Sequence, residues 1–143
     1  MTGPLRLTAP GGPLLLPWCG SAEALLEEVA GGATLGCLQG ARMRTRAGLM
    51  AEWCAATPFP SHFGGTWDAL RDALSDLPEG GTFLLLEAEQ LLQDAPPAEF
   101  ETLLAVLRTV QEDLRPRPFR LVLQADPDRY PTLVQGLRGL GVL

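Results

Sequence analysis

The stretch Thr82-Phe83-Leu84-Leu85-Leu86-Glu87 follows the turn-forming Pro78–Gly81 and is apolar without interruption. A strand with one wet face would alternate; a continuous run instead suits a strand buried on both faces, as in a parallel sheet. Working outward, Pro96–Pro97 opens a predicted helix over Ala98–Leu114, with Phe100, Leu103, Leu104, Leu107, Val110 and Leu114 on one stripe. Pro116 and Pro118 end it, and Phe119–Gln124 is a second predicted strand. A last short helix is expected over Pro131–Leu140, weakened by Gly136 and Gly139.

Upstream of the apolar run, Thr66 is the N-cap of a predicted helix to about Leu77, carrying Trp67, Leu70, Ala73, Leu74 and Leu77 inward. Phe59–Gly65 is a loop before it. Thr45 can cap an earlier helix to about Ala56, with Leu49, Met50, Trp53 and Cys54 on its apolar side, stopped by Pro58 and Pro60. Thr34–Leu38 is a short strand with a turn at Gly40. Further back, Pro13–Trp18 reads as a strand, and Ser21 begins a helix to Val29 that Gly31–Gly32 terminates. From Thr34 the order strand–helix–helix–strand–helix–strand predicts a small parallel α/β sheet with right-handed crossovers.

At 143 residues the chain fits one domain, and 46% hydrophobic with 20% charged residues excludes a disordered polymer. The longest apolar stretches fall far below the ~18 residues that a bilayer helix requires, and the first residues lack the pattern of a secretory signal. A cytoplasmic location and no membrane contact are therefore expected. Cys19, Cys37 and Cys54 show no metal-ligand spacing and are expected to be reduced, half-buried thiols. With one histidine and no cysteine cluster, neither a metal nor another cofactor is expected. All 11 basic residues are arginine, and Lys, Asn and Ile are absent, a codon bias of GC-rich genomes rather than a functional trait.

The net charge of −6 disfavours nucleic acid as a direct partner. Its distribution is more telling. Met1–Trp67 is neutral, Asp68–Asp113 carries −9, and Leu114 onward carries +3. A concentrated anionic field steers a cationic partner toward it. The centre of that field is the helix after Thr66. Asp68, Asp72 and Asp76 recur at i, i+4 and i+8, which places them along one helix face. Each neighbouring pair costs ~0.2–0.5 kcal/mol by like-charge repulsion. Asp68 regains part of this from the positive end of the helix. Folding alone does not ask for such a row, which can be either a solvated face or an anionic surface shaped for arginine, lysine or a phosphate-binding pocket.

Phe59-Pro60, Phe63-Gly64 and Trp67-Asp68-Ala69-Leu70, followed by Asp72, resemble the motif of the barstar family, whose usual form is close to FPxYFGxNWDALxDxL. The rhythm of strands and helices from about Thr34 to Gln124 is similar as well, and Gly40, Leu49 and Trp53 fall where such proteins carry core residues. The resemblance covers roughly two-thirds of the chain. It implies a small three-stranded parallel sheet covered by helices over 34–125. Residues 1–33 are then an N-terminal addition with a possible edge strand and short helix, and 126–143 a C-terminal addition with a possible short helix. It also implies a bacterial immunity or toxin–antitoxin role, in which this helix and the loop before it block the active site of a basic ribonuclease.

Carried over position by position, Asp72 is the main anion entering the phosphate-binding site and Asp68 meets the basic rim. His62, Phe63, Gly64 and Gly65 form the contacting loop, with Asp76 at the far end of the row. Several residues depart from the pattern. His62 stands for the common tyrosine, and Thr66 stands for the common asparagine while keeping its capping ability. Arg71 stands where the archetype has an aromatic residue; it either repels a basic partner locally or pairs with Asp68 or Asp72 and holds them. The archetype's contacting acid in the next helix aligns with Thr109, and Glu112, nearly a turn further, is the acid expected to replace it. Arg71 and Thr109 also leave room for an interaction module of the same fold with a non-nuclease partner.

No enzymatic role is expected. Catalytic carboxylates need contrasting environments and a sheltered cleft, and a row on one helix face supplies neither. His62 has no neighbouring nucleophile and reads as a packing or contact residue. Trp53 and Trp67 read as core, and Arg42-Met43-Arg44-Thr45-Arg46 reads as a solvated face balancing the acidic half.

Overall fold

Three hydroxyl side chains start three of the helices. In a computed structural model describing residues 13–29, 34–57 and 64–142, Ser21 Oγ accepts from the Ala24 N–H at 3.1 Å, Thr45 Oγ1 from Gly48 at 3.1 Å and Thr66 Oγ1 from Ala69 at 3.1 Å. Each such cap satisfies a helix-end N–H that has no partner in its own helix, a contribution of about 1 kcal/mol. The chain runs β1 (Leu15–Cys19), α1 (Ala22–Glu28), β2 (Gly36–Gln39), α2 (Arg46–Ala56), α3 (Trp67–Ser75), β3 (Gly81–Leu86), α4 (Pro97–Leu114), β4 (Phe119–Ala125) and α5 (Tyr130–Gly139), with 3-10 turns at Gly40–Arg42 and Ala88–Gln90. Pro97 is the first residue of α4, where its missing N–H costs nothing.

The strands form one sheet in the order β1-β4-β3-β2, with every neighbouring pair parallel. Burial on both faces explains why β3 and β4 lack alternation. Phe83, Leu85, Phe119, Leu121 and Leu123 join the large core formed with α2, α3, α4 and α5. Leu84, Leu86 and Val122 lie on the opposite face, covered by Leu25 and Val29 of the α1 segment. Trp53 meets Phe83 edge-on with ring centroids 5.6 Å apart, and Phe83 meets Phe119 in the same manner at 6.3 Å. Such pairs add about 0.5–1.5 kcal/mol beyond their burial.

Three sequence expectations need correction. The sheet has four strands rather than three, because β1 pairs in register with β4 from Leu15↔Leu121 to Cys19↔Ala125. As the edge strand, β1 tolerates Pro17, which cannot donate to a ladder. The cysteines are free and exposed rather than half-buried. Cys54 points away from the buried side of α2, which comprises Leu49, Met50 and Trp53. The arginine cluster is also more engaged than a solvated face. Met43 is fully buried within it, Arg44 forms a two-pronged pair with Asp94, and Arg42 lies 4.0 Å from Glu52.

Candidate functional site

Helix α3 is divided sharply between a buried and an exposed side. Leu70 and Leu74 are fully buried, and Trp67 and Leu77 pack against the same core. This anchorage fixes the helix as a rigid support. Asp68, Asp72 and Asp76 are all exposed, with Asp76 at the C-cap rather than inside the helix. Among the described residues, no hydrogen bond or ion pair engages any of the three carboxylates. Their mutual repulsion is therefore uncompensated by side-chain pairing, apart from the favourable position of Asp68 in the first turn.

The approach to α3 is set by Gly64 and Gly65. Gly65 has φ +68°, in the left-handed region where a Cβ is strained, and no atom lies within 4 Å of where that Cβ would be. The backbone conformation, not crowding, requires glycine there. Gly64 is exposed immediately before it. His62 and Phe63, expected to contribute to the same loop, lie outside the described residues.

Arg71 pairs with neither Asp68 nor Asp72. Its guanidinium reaches across to α4, where Nη2 lies 3.3 Å and Nε 3.4 Å from Asp113 Oδ2. Ser75 Oγ donates to the same oxygen at 2.9 Å. Backbone spacing explains the choice: Arg71 and Ser75 are one turn apart on the side of α3 that packs on α4.

Glu112 is not brought to α3. It lines a recess of about 380 Å³ with Leu14, Leu15, Arg108 and Arg115, on the side of α4 facing the start of β1. Thr109 is half-buried and donates its hydroxyl to Ala105 O of its own helix. Asp113, one turn after Thr109, is the α4 acid beside the row. Helical spacing alone leaves positions i+3 and i+4 from Thr109 almost equivalent. The half-apolar flank formed by Val106 and Thr109 was the available signal, since it marks the side of α4 that packs on a neighbour and extends to Asp113.

Among the described residues, no group of three or more His, Cys, Asp or Glu side chains could hold a metal ion. No described helix is long and apolar enough to cross a membrane. What α3 presents is fixed carboxylates with open lone pairs, suited to guanidinium or ammonium donors.

The model of the family described as Barstar (barnase inhibitor) matches residues 34–124, well over half of the chain. No curated protein matches. The matched segment runs from just before β2 to the penultimate residue of β4 and contains α3 with its cap and its acidic row, so the chain belongs to the barstar family.

Proposed function

We propose that the protein binds a basic ribonuclease and blocks its active site with the exposed face of α3. Asp72 enters the phosphate-binding site and Asp68 engages the basic rim. Asp76 extends the anionic row, while His62, Phe63, Gly64 and Gly65 supply the loop contacts. The observation that carries this reading is the unpaired state of the three carboxylates on a helix whose other side is locked into the core. A pre-ordered anionic surface loses little freedom on binding, and each charge it presents is free of partners among the described residues. The binding unit is 34–125, with 1–33 and 126–143 as additions around it. The protein acts without a cofactor and without catalysis of its own, in the cytoplasm, as the immunity partner of a toxic nuclease.

The test is a titration against a small basic guanyl-specific ribonuclease, following RNA cleavage at low and moderate salt. The proposal expects inhibition that weakens as salt screens the charges. It also expects inhibition to weaken with Asp72→Ala. No inhibition at micromolar protein would refute it. A second reading, an interaction module with a non-nuclease partner, is favoured by one feature of α4. The acid expected beside Asp72 is absent at Thr109, and Asp113 is committed to Arg71 and Ser75. Capture of a partner without nuclease activity by the wild type, and not by Asp72→Ala, would establish that reading instead.

A further inference from the structure

Arg71 is the cation that α3 itself carries within the acidic row, and its environment gives it a fixed place. Its side chain is 47% exposed and that of Asp113 is 34% exposed, so both present themselves at the seam between α3 and α4. Three contacts converge on one carboxylate oxygen: two from the Arg71 guanidinium and one from the Ser75 hydroxyl. Asp113 Oδ1 takes part in none of them. The seam thus offers a held guanidinium and a partly neutralised acid beside three carboxylates that have no partner among the described residues.

We infer that Arg71 is a specificity-determining residue of this face. It admits a basic protein whose cations meet Asp68, Asp72 and Asp76 and whose surface opposite the seam is neutral or acidic. A uniformly cationic surface meets like charge at Arg71 and finds Asp113 already engaged. Discrimination of this kind works by a repulsive element placed within an attractive surface. The inference deepens the proposal that α3 receives a basic partner and rests on it.

Removing Arg71 changes the face twice over, because a cation disappears and Asp113 is released. A nona-arginine peptide is a suitable uniformly cationic probe, its binding followed by fluorescence anisotropy at low salt. Arg71→Gln should tighten peptide binding about two- to fivefold, the range for one exposed pair. Adding Asp113→Asn should return the affinity to near that of the wild type, and Arg71→Lys should keep the wild-type value. Thermal unfolding by circular dichroism verifies that each variant folds.

The inference is overturned if Arg71→Gln binds the peptide no more tightly than the wild type. It is equally overturned if the double variant stays as tight as Arg71→Gln, because Asp113 would then not belong to the face. Unchanged peptide binding by Asp72→Ala would overturn both this inference and the acidic face itself. Failure to inhibit the guanyl-specific ribonuclease, with the peptide results as expected, would refute the inhibitor reading alone.

Discussion

Arg44 and Arg71 are both paired with an aspartate more than forty residues away, yet the two pairs are built for different ends. Arg44 meets Asp94 fork to fork, Nε to Oδ2 at 2.8 Å and Nη2 to Oδ1 at 2.9 Å, and its Nη1 donates to Gln90 Oε1 at 2.9 Å. The backbone reinforces the pair: Asp94 N–H donates to Arg44 O at 2.9 Å and Leu92 N–H to Met43 O at 2.7 Å. Every nitrogen of that guanidinium and both oxygens of that carboxylate are used within the molecule. The pair ties the turn after β2 to the loop after β3, and its charges serve folding. Arg71 and Asp113 share a single oxygen at 3.3–3.4 Å, beside three carboxylates with no partner among the described residues. The first pair uses its charges inside the fold, and the open carboxylates beside the second are the ones that the proposed function assigns to a partner.

Variants on the two sides of this comparison should behave oppositely. The largest effect is expected for Asp72→Ala. Partner binding should fall about 30- to 1000-fold, as at other interface hot spots, while the unfolding midpoint in urea does not fall, because two like-charge neighbours are relieved. A loss of stability comparable to the loss of binding would place Asp72 with Asp94 as a folding residue. Next comes Gly65→Ala, which forces a Cβ into a left-handed conformation and should cost about 1–2 kcal/mol in a denaturant titration. A neutral result would mean that the loop relaxes freely. Smaller again is Asp76→Asn, which removes one repulsive i, i+4 pair at the negative end of the helix and should raise stability by about 0.2–0.5 kcal/mol.

The smallest expected effect is one of pH. Hydrogen bonding to Arg44 holds the Asp94 carboxyl below the usual carboxylate range. Because its folded value is the lower one, the stability from this pair is present above about pH 4 and is lost as pH falls through the folded value. Arg44→Gln should therefore flatten the acid side of the stability profile, whereas Asp72→Ala should leave that part of its slope intact. Urea midpoints measured across the acid range distinguish the two.

Much of this architecture was legible in the order of residues. Ser21, Thr45 and Thr66 were readable as caps, because the bond each makes spans only three residues. The unbroken apolar run of β3 was readable as doubly buried, and the acidic row as one face of one helix. What could not be read was the partner of Arg71. Asp68 and Asp72 were its near neighbours in sequence, but the guanidinium turned to Asp113, 42 positions away, because α3 packs against α4. The same limit hid the difference between Glu112 and Asp113, which are adjacent in the chain and lie on different sides of α4.

By itself, the sequence determined the local matters: where helices begin, which strands are buried on both faces, and that α3 carries an acidic row opposite an apolar one. These follow from periodicity, capping and chain stereochemistry over a few residues. Tertiary structure alone decided that β1 joins the sheet beside β4, a pairing of segments about a hundred residues apart. It also decided which cation and which acid meet at the seam. Both depend on how whole elements pack, through contacts between segments that no local pattern brings together.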